Sequence, residues 1–548
     1  MRSKFLCLFI LSGYLFYTNT LFAWHNPDSL LGANHQYRNW WDVKKYKVQI
    51  KADTLSSNIT GTVQMHFKII GNAQDTLQID LQEPLLLNKV YFQDSIPLRF
   101  YKYQNHYFVL TAPKQKIVQH EQSYTLTMQY SGQVIEAKNP PWQGGWVRTR
   151  DSLNRSWIAV ACQGTGASVW WPCKDLQADE PDNGIEFILD HNDKTNVISN
   201  GRKIASTVAH KDSAWSVKNT INNYDLTFYW GHYRSWKDTF QGINGVLDIS
   251  YYALDYHYDK AKIQFQQVKK MLRAFEYWLG PYPFYEDSYK IIEAPYLGME
   301  HQSAIAYGNQ YQNGYLGLDR SATGNGLLFD FIIIHESGHE WFGNSITAAD
   351  IAENWIHEGF TSYTEVLYLD YYYGKEKAYQ YARGVWKNIK NDTPVIGHLG
   401  VHDEGSGDKY DKASGLVHTI RLLLNDDIQF RALLHGINKK FYHKIISSND
   451  IENYIDSFCA YNLKPIFNQY LRSTKIPKML WYISPKGELY YQFENIVEDF
   501  ELPIPCKING KKQTLNVSAA LKKYPSIKRI KHFEVIPSFL IQTSQKKL

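Results

Sequence analysis

Apolar and polar positions alternate with period two along much of the first 235 residues. Tyr46-Lys47-Val48-Gln49-Ile50, the run Thr62 to Ile69, Leu77-Gln78-Ile79-Asp80-Leu81 and the run Tyr124 to Tyr130 all follow it. Successive side chains on a strand point to opposite faces, so each run predicts a half-buried strand. Gly, Asn and Asp separate the runs, and the whole predicts an antiparallel β domain. Near residue 238 the period lengthens. Val268, Met271, Leu272, Phe275 and Leu279 fall at helical spacing and the run stops at Gly280-Pro281. Leu327, Leu328, Phe331, Ile332, Ile333 and Ile334 predict a buried helix. Residues 415 to about 473 carry further helical faces, Leu416-Ile420-Leu423-Leu424 and Ile451-Ile455-Phe458, with Pro477 beyond them. From Leu480 strands return (Leu480–Ile483, Leu489–Phe493, Pro505–Ile508, Phe533–Ile536) around an Asn509-Gly510 turn, as in a small β-sandwich.

Length changes this picture by requiring several cores: 548 residues exceed what one core usually serves. The pattern divides the chain into a segment 1–23, a β domain 24–237, a mostly helical domain 238–476 and a β-sandwich 477–548. A net charge of +5 without basic blocks gives no case for nucleic acid. Arg2 and Lys4 precede an apolar stretch from Phe5 to Phe16, with Ala23 before Trp24; this reads as a cleaved signal peptide and a secreted or periplasmic protein. Retention of that segment as a membrane anchor is the alternative, and no later run is long enough to span a bilayer. Cys162, Cys173, Cys459 and Cys506 have no metal-ligand spacing and are expected as buried free thiols.

The chemistry sits at the end of the apolar run. His335 and His339 stand four apart, one turn of a helix, so both imidazoles can reach one Zn²⁺. Glu336 flanks that face, giving the H-E-x-x-H arrangement of zinc peptidases. On its own such a triplet can be a solvated helix face. Glu358, separated from His339 by eighteen residues and set in a second helical segment, offers the third ligand. Asp350, Glu353 and Glu365 are candidates to orient the ligands, and the spacing does not choose among them.

His335-Glu336-Ser337-Gly338-His339-Glu340-Trp341-Phe342-Gly343-Asn344, followed by Trp355-Ile356-His357-Glu358-Gly359-Phe360, resembles the gluzincin aminopeptidases, the aminopeptidase N and leukotriene hydrolase family. The resemblance implies an amino-terminal saddle-shaped β domain, a thermolysin-like, mostly helical catalytic domain and a small β-sandwich, an α+β multidomain chain. It implies one zinc per chain and peptide substrates with a free amino terminus. Gly298-Met299-Glu300-His301 resembles the family's GxMEN motif, so Glu300 is expected to bind the substrate ammonium, with Gly298, Met299 and His301 beside it. His301 replaces the family's Asn, a change that would alter the hydrogen bonds behind the substrate or shift the pH dependence, because histidine titrates near neutrality. Gln163 stands nine residues before Pro172-Cys173 as the family's substrate-binding Gln does, although Ser168 replaces an Arg usual in that loop. Tyr410, two residues before Lys412, resembles the tyrosine that steadies the oxyanion. The implied activity is zinc-dependent removal of an amino-terminal residue, with Glu336 as general base. A zinc endopeptidase, an epoxide hydrolase of the leukotriene type and a non-catalytic peptide-binding relative are the alternatives.

Overall fold

The computed structural model describes residues 27–111, 122–191, 195–205 and 213–546; the segment read as a signal peptide lies outside them. The alternating runs become an eight-stranded sheet whose central members are Ile185–Asp190, Trp41–Lys51, Asn58–Ile69, Ser123–Gln133 and Leu86–Phe92. Val48 faces Val63, and Val63 faces Met128, so the apolar sets of neighbouring strands lie on one buried side. Pairing is antiparallel except between Trp41–Lys51 and Ile185–Asp190. A four-stranded sheet ending on Gly145–Arg150 shares this core through Trp146, Ile158, Val160 and Phe228.

A five-stranded sheet then joins the β region to the helical one: Tyr233–Gly242, Gly245–Leu254, Tyr289–Glu293, Ile305–Tyr307 and, at its edge, Gly298–Met299. Strand Tyr233–Gly242 runs through residue 238, so the change of pattern read there falls inside a strand. The helical spacing from Val268 to Leu279 lies in the second of two helices, Tyr258–Gln264 and Gln267–Leu279, between which Phe265 is buried. Four further helices, Asp411–Leu424, Asp427–Lys440, Ser448–Phe458 and Lys464–Leu471, precede the returning strands. Those strands form a four-stranded and a three-stranded sheet.

The core of the last sheets is continuous with that of the helical region. Met479, Phe493, Ile504, Phe539 and Leu540 belong to one continuous apolar cluster with Leu416, Ile420 and Tyr470 of the helical region. Leu540 packs so closely on Gly415 that a Cβ there would lie 2.7 Å from its Cδ2, and the Tyr470 hydroxyl donates to the Leu540 carbonyl at 2.8 Å. No helix among the described residues is long and apolar enough to cross a membrane. Cys162, Cys173 and Cys506 are buried free thiols as expected; Cys459 is free but only half-buried.

Candidate metal centre

The apolar run supplies a shorter helix than its length suggests, Phe331–Gly338, because Asp330 caps it by accepting from the amides of Ile332 and Ile333. His335 and His339 project from its last turn. After His339 the backbone leaves helical geometry at Phe342 and at Gly343, whose φ of 126° suits only glycine. A Cβ on Gly343 would also stand 3.2 Å from Nδ1 of His339. The kink turns the Phe342 carbonyl onto that Nδ1 at 3.0 Å. A carbonyl only accepts, so Nδ1 carries the proton and Nε2 of His339 is left with its lone pair.

Glu358 stands in the first turn of the long buried helix Trp355–Tyr373. Its Oε2 lies 3.6 Å from Nε2 of His335 and 3.3 Å from Nε2 of His339, and the donor atoms of the three fall within 4.8 Å of one another. Two turns further along the same helix, Glu365 accepts from Nδ1 of His335 at 2.9 Å and is itself held by the Tyr381 hydroxyl. Glu353 instead accepts from the amide of Ser448, and Asp350 caps a short turn through Ala352 and binds the amide of Gly400. Glu365 is therefore the carboxylate that orients a ligand, and a backbone carbonyl orients the other.

Burial would lower the His335 imidazole, but Glu358 and Glu365 override it and raise it to about 10. Glu358 shows the reverse: burial raises a carboxyl, yet the two histidines hold it well below its usual range. The site thus makes a strong demand for positive charge where two imidazole Nε2 atoms and Oε2 of Glu358, a fully buried oxygen with no hydrogen-bond donor, converge. Two nitrogens and one carboxylate oxygen are the donor set of a catalytic zinc with one position open, so the residues fit that ion.

Around it lies a cleft of about 240 Å³ lined by Glu336, Glu300, Gln163, Gly298, Met299 and Tyr410, among others. Burial raises the Glu336 carboxyl to about 7, against the pull of both histidines. Glu300, Glu336 and His339 form a second group of donor atoms within 4.8 Å. Burial also raises the Glu300 carboxyl, with His339 opposing. The Gln163 amide nitrogen donates to Oε1 of Glu300, and the Tyr224 hydroxyl approaches the same oxygen at 3.4 Å. Tyr410, at the start of Asp411–Leu424, lies with its ring centroid 6.0 Å from that of His335; burial and then Glu358 push its phenol well above the usual range, so it remains an O–H donor. Lys412 points away, to the Ser473 carbonyl.

Gly298 and Met299 form the two-residue edge strand, antiparallel to Ile305–Tyr307. Gly298 permits close approach: a Cβ there would lie 2.6 Å from Oε1 of Glu336. Met299 buries its side chain in the β-region core while its backbone borders the cleft. His301 does not line the cleft. It is fully buried behind Glu300, with Nδ1 2.9 Å from the Tyr229 hydroxyl, and burial lowers it to about 3. Of the two consequences open for this residue, burial disfavours a titration near neutrality, and the hydrogen bond to Tyr229 behind Glu300 fits the other. Ser168 is buried against Asp175, its amide donating at 2.9 Å. Arg320, Tyr315 and Trp142 also line the cleft; no motif pointed to them.

The sheet whose edge strand ends at Glu300 against an H-E-x-x-H helix, with a glutamate from the next helix completing the donors, defines a metallopeptidase architecture. Residues 263–470 match the Peptidase family M1 domain and residues 43–223 match the Peptidase M1 N-terminal domain; the chain belongs to peptidase family M1. It is 22% identical to endoplasmic reticulum aminopeptidase 1 of Mus musculus over 448 residues, which is 79% of this chain and 46% of that protein. With leukotriene A-4 hydrolase of Xenopus laevis it shares 25% identity over 210 residues, 36% of this chain and 33% of that one. The chain thus spans less than half the length of these curated relatives. Among solved structures, the M1 zinc metallopeptidase from Deinococcus radiodurans has the same fold, with a TM-score of 0.64 at 17% identity over 78% of this chain and 92% of that one.

Proposed function

We propose that this chain is a zinc-dependent aminopeptidase that binds one Zn²⁺ through His335, His339 and Glu358. We further propose that its units are the β domain 24–237, the catalytic domain 238–476 and the β-sandwich 477–548, and that residues 1–23 direct it out of the cytoplasm. The observation that carries the activity is a carboxylate, Glu300, buried beside Glu336 and the donor cluster, within 4.8 Å of both Glu336 and His339. An anionic group at that distance suits a substrate ammonium one residue from the scissile carbonyl, and it leaves an N-blocked peptide unable to neutralise it.

Bound there, zinc supplies Lewis acidity toward a carbonyl oxygen and a water. Glu336, poised near neutrality by burial, accepts the proton of the attacking water and returns it to the leaving amine. Tyr410 donates its hydroxyl proton to the developing oxyanion, a contact typically worth ~2.7–4 kcal/mol. Glu300 and the carbonyl oxygen of the Gln163 amide hold the ammonium, and the open edge of Gly298–Met299 pairs with the substrate backbone. Relatives named as aminopeptidases support the same reading.

A panel of aminoacyl fluorogenic substrates, each with its N-acetyl counterpart, tests it. Hydrolysis of at least one free-amino substrate is expected, with loss on acetylation, on chelation and in Glu336→Gln. Cleavage of acetylated peptides at internal bonds would overturn it in favour of an endopeptidase, and no zinc in the purified protein would overturn the metal.

A further inference from the structure

The histidine helix gives the cleft a direction. Glu300 clusters with His339 and Glu336 at the helix's C-terminal end. One turn before His335 stands Phe331, its ring stacked on the His335 imidazole with centroids 5.0 Å apart and planes at 15°. The Arg320 guanidinium lies over the Phe331 ring, 5.1 Å from its centroid. Glu300, the metal ligands and Arg320 therefore follow one another along the cleft, with opposite charges at its two ends. Arg320 is the one Lys or Arg among the described residues lining it.

Its position is built. Asp319 fixes the turn that carries it, accepting from the Ser321 amide at 2.8 Å and the Gly324 amide at 2.6 Å. Nη2 of Arg320 donates to Asp411 at 3.0 Å, beside Tyr410. A guanidinium carries five N–H donors in a fork shaped for a carboxylate, and this contact uses one of them. The side chain is still 23% exposed and lines the cleft.

A substrate whose ammonium sits on Glu300 and whose scissile carbonyl sits at the donor cluster must extend its next residue toward Phe331 and Arg320. One residue spans about 3.8 Å. We propose that Arg320 binds a carboxylate of the residue that follows the scissile bond, and so sets a preference for dipeptides or for an acidic second side chain. This rests on the aminopeptidase reading above. The shared chemistry is a carboxylate; a dipeptide's own C-terminus and an aspartate side chain are its two sources.

The test compares kcat/KM for X-Ala, X-Ala amide and X-Asp amide, where X is the first residue preferred in the fluorogenic panel. The wild type is expected to favour at least one carboxylate-bearing substrate over X-Ala amide by about tenfold, as a charge-assisted hydrogen bond typically gives. Whichever substrate is favoured names the source. Arg320→Gln should bring the ratio near one, and Arg320→Lys should keep part of it. Calorimetric Kd values for the same ligands on Glu336→Gln, which does not turn them over, should show the same order. Equal kcat/KM in the wild type overturns the proposal. So does an Arg320→Gln variant that slows all substrates alike, which is what the Asp411 ion pair alone would produce. If the wild type hydrolyses no free-amino substrate, the aminopeptidase reading itself falls and takes this proposal with it, an outcome distinct from hydrolysis without preference.

Discussion

The Asn344 side-chain amide donates to the backbone carbonyl of Glu300 at 2.9 Å, tying the exit of the histidine helix to the strand end that carries the cleft's acidic group. This contact accounts for an asparagine after the Gly343 kink. Replacing it with leucine removes the tie while the ligands keep their own partners. Asn344→Leu is expected to lower kcat/KM on free-amino substrates by about tenfold, the cost of one buried hydrogen bond, chiefly through KM. Zinc content should stay at one per chain, so a variant that loses its metal would contradict this division of labour.

At the proposed zinc site, Glu365 positions His335. Glu365→Ala leaves Nδ1 of His335 without its acceptor and the Tyr381 hydroxyl without its own. Zinc affinity, measured by competition with a chelator, should fall on the order of 10–100-fold. Glu353→Ala, which touches the amide of Ser448 instead, should leave zinc affinity where it was.

Gly298 tests the geometry of the general base. Gly298→Ala places a methyl 2.6 Å from Oε1 of Glu336 and 2.9 Å from Ile332. Glu336 must then move, and a displacement of about 1 Å at such a group costs on the order of 10²-fold in rate. The loss is expected in kcat with the zinc and the melting temperature retained; a fully active variant would show that Glu336 is not held where it works.

Two buried histidines make an acid-sensitivity prediction. His301 and His418 are lowered to about 3 from a usual 6.5, burial being the first cause for each. The unfolded chain binds their protons first, so the stability they contribute is present above pH 6.5 and drains away as pH falls toward 3. Each costs up to about 1.4 kcal/mol per pH unit in that window. Urea unfolding of the wild type and His418→Phe between pH 7 and 5 should show a shallower decline in the variant. Parallel curves would contradict a neutral His418. The activity profile, by contrast, should keep its inflections in His301→Asn, because that ring carries no charge at working pH.

Much of the site could be read in advance because its chemistry is local. His335, His339 and Glu358 meet because helical spacing and one fixed interval suffice to bring them together. The choice among Glu365, Glu353 and Asp350 also had a signal that went unused: Glu365 is seven residues from Glu358 and so on the same helix face, two turns along. The partner of His339 had none, since it is a carbonyl exposed by a kink and carries no side-chain signature. Arg320 sits in an irregular stretch between Tyr307 and Asp330, where no period constrains which side chains turn inward. The amphipathic faces of residues 480–536 showed that something is buried there, but a period reports a face and never its partner; that their core runs on into the helices emerged only from packing.

That packing has a consequence for how the molecule is made. Strand Gln542–Gln545 lies parallel to Lys478–Ile483, and Leu540 fills the surface of the very helix that begins beside Tyr410. Without residues beyond 530 the chain keeps His335, His339 and Glu358, yet its helices present bare hydrocarbon where Phe539 and Leu540 belong. Removing residues 539–545 is therefore expected to loosen the helix Asp411–Leu424, and with it Tyr410, without changing any residue that lines the cleft.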